Sequence, residues 1–428
     1  MSDSPINDPD EFLTALFKAS LEAVSAESLM DFDYPQPIGR SWVIGAGKAA
    51  AAMAAALERH WPADTQGELE GMVVTRYGHA CKTRGIEVIE AAHPVPDDQS
   101  ISAAARIMQI AENAGENDQV IVLISGGASA LLVAPGEGIT LDQKRHINQA
   151  LLASGAPITE MNCVRRHLSA IKGGRLARLI EPASSLTLII SDVPGDNPAT
   201  IGSGPTVADS STPADALAIL TRLNISIPDE VRRVLESDIS PVTLDREKHT
   251  VRLLGTADLM LRRAAEFSRR HGVRPIILGD DIEVDAEALA SVQASLARYI
   301  ARDTLEDGTG CMKPCVLLSG GETGVTVRGS GRGGRNSQYL LALALALNGL
   351  DKCWALACDS DGIDGTGDNA GGIITPDSLQ RAQGLGLVPS TLLSENDGYH
   401  FLEALDNLVM TGPTLTNVND LRAILIER

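Results

Sequence analysis

At 428 residues, with 44% hydrophobic and 21% charged side chains, the chain has the composition of a globular protein of two or three domains with a large core. A formal net charge of −20 excludes nucleic acid and an anionic membrane surface as the main partner, and leaves room for a small anion in a local cationic pocket. No stretch approaches the ~18 apolar residues of a membrane span, and the first eleven residues are acidic and polar, so a soluble cytoplasmic protein is expected.

The predicted elements begin with an amphipathic helix over 10–30. Strands follow at 42–44, 72–75, 86–91, 120–124, 186–191, 251–254, 275–278, 315–318, 326–328 and 353–358. Helices at 49–59, 100–113, 141–153, 256–271, 286–301 and 337–347 separate most of them. This alternation predicts an α/β fold, with parallel or mixed sheets carrying helices on both faces. Only 3% of residues are aromatic, consistent with close Ala/Leu/Gly packing of helix on sheet. The polar stretch from 208 to 249 is the expected boundary, dividing the chain into 1–240 and 241–428. A short echo, Val122-Leu-Ile-Ser-Gly-Gly127 against Val316-Leu-Leu-Ser-Gly-Gly321, is compatible with two related halves.

Ligands in open α/β sheets bind beyond the C-terminal ends of strands, so the residues just after each strand are the candidates. Gly45-Ala-Gly-Lys-Ala-Ala50 follows a strand and opens a helix, which fits the dinucleotide pattern G-x-G-x-x-A. The next strand ends in Thr75-Arg76 where NAD would want an acid, and Lys48 sits in the turn. A lysine there opposes the helix dipole, and a bound anion would offset that cost. Gly329-Ser-Gly-Arg-Gly-Gly-Arg335 is a second glycine turn before a helix, and its guanidinium groups, Arg332 and Arg335, suit phosphate oxygens. Gly331 and Gly333 give it flexible backbone. Ser125-Gly126-Gly127 and Ser319-Gly320-Gly321 also place mobile N–H groups at strand ends.

Carboxylates follow two further strands, at Asp192 within Ser191-Asp-Val-Pro-Gly-Asp196 and at Asp361 within Asp359-Ser-Asp-Gly-Ile-Asp364. Mg²⁺ or a general base at a phosphate site needs such groups. Arg165 and Lys172 lie seven apart in a basic segment read as one helix, so they would share a face able to hold a carboxylate or phosphate. His93 and His167 read as structural. The six cysteines show no disulfide or zinc spacing; Cys311 and Cys315 form a lone C-x3-C.

Taken together, these motifs resemble one family. They are Val43-Ile-Gly-Ala-Gly-Lys-Ala49, Ala92-His-Pro-Val-Pro-Asp97, Leu123-Ile-Ser-Gly-Gly127, Ile171-Lys-Gly-Gly174, Ser191-Asp-Val-Pro-Gly-Asp196 and Ser203-Gly-Pro-Thr206. Gly333-Gly-Arg-Asn336, Asp361-Gly-Ile-Asp-Gly365 and Thr411-Gly-Pro-Thr-Leu-Thr-Asn-Val-Asn-Asp420 complete the set. The chain is similar from about 13 to 425 to the class II glycerate 2-kinases with a MOFRL domain, which also carry the name hydroxypyruvate reductase. After the second Asp-Gly this chain reads Gly-Thr-Gly-Asp at 365–368, where the family pattern has Pro-Thr.

The resemblance implies a Rossmann-like first domain, a smaller mixed second domain with MOFRL at about 313–420, and an active site in the cleft between them. It implies transfer of the ATP γ-phosphoryl group to the 2-hydroxyl of D-glycerate with Mg²⁺. The family's essential lysine falls on Lys48 and its arginine on Arg332 or Arg335. Asp192 and Asp361 are then metal ligands, with Asp192 also catalytic. Gly45, Gly47, Ser125, Gly126, Gly127, Ser319, Gly320, Gly321, Gly331 and Gly333 line the nucleotide, and Arg165, Lys172 and Asn336 hold the substrate. No nucleic acid or membrane partner is expected, and a homo-oligomer is compatible with the sequence. Two rivals stand beside this reading. One is an NAD(P)H-dependent hydroxypyruvate reductase, supported by the G-x-G-x-x-A turn and Arg76. The other is a ligand-binding module without turnover.

Overall fold

Runs such as Gln-Val-Ile-Val-Leu-Ile carry no polar alternation, so they bury both faces and belong inside a helix-covered sheet. The computed structural model describes residues 6–34, 38–62, 68–237, 241–302 and 313–427. Two units account for the chain: Leu29–Leu254, and Met1–Ser28 together with Gly255–Arg428.

The first unit is built on six strands: β1 (Ser41–Ala46), β2 (Glu70–Arg76), β3 (Ile86–Ala91), β4 (Gln119–Ile124), β5 (Ser184–Ile190) and β6 (His249–Gly255). Their order is β3-β2-β1-β4-β5-β6, and β3 through β5 are parallel throughout. That is the Rossmann order. The β4 residues are all buried, and Ile44, Val122 and Ile124 join Ala103, Ala104 and Ile107 of helix Asp98–Glu112 in one core. Each of the Ile and Val side chains contributes roughly 1.5–3 kcal/mol when fully buried.

The second unit has β7 (Arg274–Gly279), β8 (Cys315–Ser319), β9 (Cys353–Asp359), β10 (Gly371–Ile374), β11 (Leu408–Val409) and β12 (Asp420–Ile426), ordered β11-β10-β9-β12-β8-β7. This sheet is mixed: β12 runs antiparallel to both β8 and β9, while β7 and β8 are parallel. Helices Ala286–Ala301 and Arg335–Leu347 pack over it.

The N-terminal helix belongs to this second unit, because Phe12 packs its ring 5.7 Å from Phe267 of helix Ala257–Arg270. The units therefore divide the chain differently from a single cut at 240. Residues 238–240, where that cut was placed, lie outside the described residues, as does Cys311. The helix expected over 10–30 is two pieces, Pro9–Ala23 and Ala26–Leu29, broken where the Ser25 hydroxyl donates to the Glu22 carbonyl.

The strand expected at 326–328 is absent. Val327 is exposed, and the N–H groups of Arg328 and Gly329 donate to Asn396 Oδ1 at 2.6 and 3.2 Å instead of to a neighbouring strand. The sequence reading passed over β12, which is central to its sheet, because Arg422 interrupts its apolar pattern. Arg422 is nonetheless buried, donating to Asp420 and to the carbonyls of Gly320 and Gly321. Among the described residues no helix is long and apolar enough to cross a membrane.

Candidate active site

β1 and β4 are neighbours from which the chain departs to opposite sides, so the turns after them flank the topological switch point of the first sheet. Two predicted motifs meet there. Lys48 N–H donates to the Gly126 carbonyl at 2.8 Å, and Ala49 N–H donates to Ser125 Oγ at 3.0 Å. Ser125 thus caps helix Ala50–His60, whose own N-cap residue Ala49 has no side chain able to do so.

Gly47 sits at φ +138°, and a Cβ there would lie 2.1 Å from Ser125 Oγ. Its open side is filled by protein rather than left for a pyrophosphate. Gly126 must likewise lack a side chain, since a Cβ would lie 1.9 Å from Asp192 Oδ2. A Cβ on Gly127 would stand 3.1 Å from His93 Nε2 and 3.5 Å from Lys48 Cγ. Lys48, His93 and Asp192 therefore border a single Gly-Gly turn.

From His93 and Gly127 a cavity of about 360 Å³ runs to Ser129, Lys144, Arg165 and Lys172. The basic helix ends at His167, earlier than the continuous helix expected through 172, because Leu168 leaves helical geometry. Arg165 and Lys172 still reach the same cavity. The Ile171–Gly174 turn is pinned to the Ser203-Gly-Pro turn, with Gly173 N–H on the Ser203 carbonyl at 3.1 Å and Gly174 N–H on the Gly204 carbonyl at 2.8 Å. Tertiary folding, not helical period, brings the two cations together.

Lys172 is almost fully buried, and Nζ donates to the Ser129 carbonyl at 2.8 Å and to its hydroxyl. Lys144 Nζ donates to the Leu168 carbonyl at 3.1 Å. Arg165 Nε donates to Asn148 Oδ1 at 3.0 Å. Among the described residues lining the cavity there is no carboxylate. Burial, then repulsion from Arg175 and Arg165, pulls Lys144 down to about 7. Burial, then Lys144 and Arg165, pulls Lys172 well below the usual lysine range. Clustered cations without a counter-charge are a receptor for an anion.

The second glycine turn is arranged differently. Arg335 Nε donates to both Asp420 oxygens at 2.9 Å, NH1 to Glu322 at 2.7 Å and NH2 to Asp359 at 2.8 Å. Burial alone would lower its pKa, and the three carboxylates override this and raise it. Asn336 Nδ2 also donates to Asp420, at 2.8 Å. The positive end of helix Arg335–Leu347 is taken by buried Asp364, which accepts from the N–H groups of Asn336 and Ser337 at 2.9 and 2.8 Å. Arg332 is more open: it meets exposed Asp368 at 3.0 Å and lies 3.8 Å over the Tyr399 ring. The turn holding Gly331 and Gly333 is tied to Glu395 and Asp397.

Ser319-Gly320-Gly321 also faces protein. Ser319 Oγ accepts from Gln293 at 3.0 Å, and a Cβ on Gly321 would stand 2.2 Å from the Ile282 nitrogen. Asp361 Oδ1 accepts from Ile363 N–H at 3.0 Å in an Asx turn. Among the described residues no group of three or more His, Cys, Asp or Glu side chains is placed to hold a metal ion. Asp192 and Asp361 belong to different units.

Sequence reasoning missed Lys144 and read His93 as structural. Lys144 lies on a helix of ordinary amphipathic pattern, and nothing local marks it. The one local signal for His93 is its place just beyond β3, where ligand residues concentrate.

Residues 10–236 match the family described as a domain of unknown function, DUF4147, and residues 315–420 match the MOFRL family. The chain is 48% identical over 419 residues to an Agrobacterium vitis protein with a provisional hydroxypyruvate reductase name, covering 97% of this chain and 94% of that one. It is 36% identical over 408 residues to a D-glycerate 2-kinase of Thermotoga maritima, covering 95% of each. A crystal structure of a Thermotoga maritima glycerate kinase superposes with a TM-score of 0.88 at 34% identity, covering 97% of this chain and 99% of that one.

Proposed function

Because the chain belongs to the glycerate kinase family built from DUF4147 and MOFRL modules, we propose that it phosphorylates D-glycerate on its 2-hydroxyl with ATP, giving 2-phosphoglycerate and ADP. The observation that carries this reading is the cavity whose cations, Lys144, Arg165 and Lys172, have no carboxylate among its described lining and which opens beside Lys48 at the switch point. A three-carbon hydroxy acid has the charge and size for it. Its carboxylate pairs with Arg165 and Lys172, and its hydroxyl then lies toward His93 and Gly127.

Lys48, bordering the Gly127 turn, neutralises charge on the transferring phosphoryl group. The Gly126–Gly127 backbone borders the phosphate end, and the Gly45–Gly47 turn packs against Leu123 and Ser125 behind it. Asp192 fits one ligand place of Mg²⁺, a hard cation that takes one or two protein carboxylates and fills its remaining places with phosphate oxygens and water. Bound there, the ion would offset charge on the β- and γ-phosphates. Of the two arginines in the second glycine turn, Arg332 is our choice over Arg335 for a phosphate contact, because it is held by an exposed carboxylate and the Tyr399 ring rather than by three carboxylates. Most of the acceleration then comes from positioning and electrostatics.

The reductase reading borrows the name of the Agrobacterium relative. It is disfavoured by the Gly47 turn, whose open side Ser125 fills; Arg76 at the end of β2 counts only against NADH and would suit the 2′-phosphate of NADPH.

The test is a paired assay of the purified protein. One arm follows ADP from D-glycerate, ATP and Mg²⁺, with enolase coupling to identify 2-phosphoglycerate. The other follows NADH and NADPH oxidation with hydroxypyruvate. Glycerate-dependent ADP with 2-phosphoglycerate as product is expected. Cofactor oxidation without ADP would overturn the kinase reading.

A further inference from the structure

The proposed transfer leaves one chemical demand unassigned, the destination of the 2-hydroxyl proton. We infer that His93 is the general base that takes this proton on Nε2; the inference rests on the kinase reading above.

Position is the first argument. The cavity has two chemically different ends. At one, Lys144, Arg165 and Lys172 are suited to a carboxylate; at the other lie His93 and Gly127, and across Gly127, outside the cavity lining, Lys48 is suited to phosphoryl oxygens. In glycerate the 2-hydroxyl is bonded to the carbon next to the carboxylate, so its oxygen must lie between those ends. His93 lines the cavity at that junction, with Nε2 packed against the same glycine, Gly127, that Lys48 Cγ approaches.

The second argument is elimination within the cavity. No Asp or Glu is among its described lining residues. Arg145 and Arg165 do not give up protons at working pH. Burial lowers Lys144 and Lys172 toward neutrality, but their Nζ atoms are turned to the carbonyls of Leu168 and Ser129 and are assigned to the carboxylate end, where anion binding would recharge them. Asp192 lies against Gly126 and is proposed for the metal.

The third argument is protonation. Burial, then Lys48, Arg76 and His79, lowers His93 to about 4, so the imidazole is neutral at neutral pH and weakly basic while those charges stand unopposed. Arg145 and Arg165 also face the cavity, as do Lys144 and Lys172, whose own charges burial weakens. Nucleotide phosphates beside Lys48 act in the opposite sense and raise the imidazole's basicity when the donor is in place.

The step balances. The 2-hydroxyl oxygen forms a bond to the γ-phosphorus as the bond from that phosphorus to the β–γ bridging oxygen breaks. The hydroxyl proton passes to His93 Nε2, and ADP departs with the bridging-oxygen electron pair. The imidazolium returns its proton to water after product leaves.

The experiment compares wild type with His93→Ala and His93→Asn. Wild-type ADP formation from D-glycerate comes first; its absence would remove the kinase reading itself, and this inference with it. Given turnover, kcat should fall by on the order of 10²-fold or more in both variants, with KM for D-glycerate within a few-fold. Added imidazole should restore His93→Ala in a saturable, pH-dependent way, which a merely structural histidine would not allow. In wild type the acidic limb of kcat should lie at higher pH than that of kcat/KM, since the first reports the donor-bound complex. His93→Asn turnover within threefold of wild type, or no imidazole response from folded His93→Ala, would overturn the assignment. Should the alanine variant fail to fold, kcat and the pH profile of the asparagine variant decide the question.

Discussion

Arg335 and Asp420 form a two-pronged ion pair in which Nε reaches both carboxylate oxygens at 2.9 Å, with the Asp420 side chain fully buried. Asp420 begins the central β12 and also receives Arg422 and Asn336. The pair therefore fastens the second glycine turn to the middle of its sheet. Replacing Arg335 by Ala leaves buried Asp420 and Asp359 short of a counter-charge, a loss of ~3–5 kcal/mol. Arg335→Lys should recover little, because one ammonium cannot serve three carboxylates spread around a planar fork. Thermal or urea unfolding checks both variants; wild-type stability in Arg335→Ala would contradict the structural role.

Arg332 should behave in the opposite way. Its partner Asp368 is exposed, so solvent screens the pair and it contributes little to stability. Arg332→Gln should unfold like wild type while losing on the order of 10²–10³-fold in kcat, the usual cost of removing one charge-stabilising donor. Unchanged turnover would exclude it from phosphate contact.

Lys48→Ala tests the first glycine turn. The ordering contact is backbone, Lys48 N–H to the Gly126 carbonyl, and survives the substitution. A fall in kcat of about 10²-fold or more with an unchanged melting temperature is expected. Near-normal kcat would remove the side chain from the mechanism.

The cavity lysines make a pH prediction. An unfolded lysine titrates near 10.4, and Lys144 is held at about 7 in the fold. Between those values the unfolded chain binds more protons, so this group makes stability rise with pH from about 7 to about 10, and its destabilisation is complete below 7. Binding of an anion reverses the shift. D-glycerate binding at pH 8 should therefore take up protons, measured by titration calorimetry in buffers of different ionisation enthalpy. Lys144→Met should reduce that uptake, and equal uptake in the variant would refute the linkage.

Gly126→Ala isolates Asp192. The added methyl would lie 1.9 Å from Asp192 Oδ2 and 2.4 Å from its Cγ, so the whole carboxylate must move. Stability should fall, and in the folded variant the Mg²⁺ concentration for half-maximal rate should rise several-fold. An unaltered metal dependence would count against Asp192 as a ligand.

The sequence by itself determined the α/β alternation and the places where chemistry concentrates. Apolar runs such as 120–124 bury both faces and so belong inside a helix-covered sheet, and strand–glycine–helix turns lie at sheet ends. Lys48 and Asp192 stand out as candidates for that reason, whereas Arg165 and Lys172 stand out by a helical spacing that the fold does not keep. Tertiary structure decided what those residues touch. Arg332 and Arg335 are three apart in one motif, yet one meets an exposed carboxylate and the other three carboxylates brought from 322, 359 and 420. Lys144 and Lys172 converge through the turn pinned at Ser203, and β12 buries Arg422 only because Asp420 and two glycine carbonyls satisfy it. Local pattern records each residue's preference for water or core. The electrostatic partner of a buried charge is a property of chain segments far apart in sequence, and it exists only once the sheet order has brought them together.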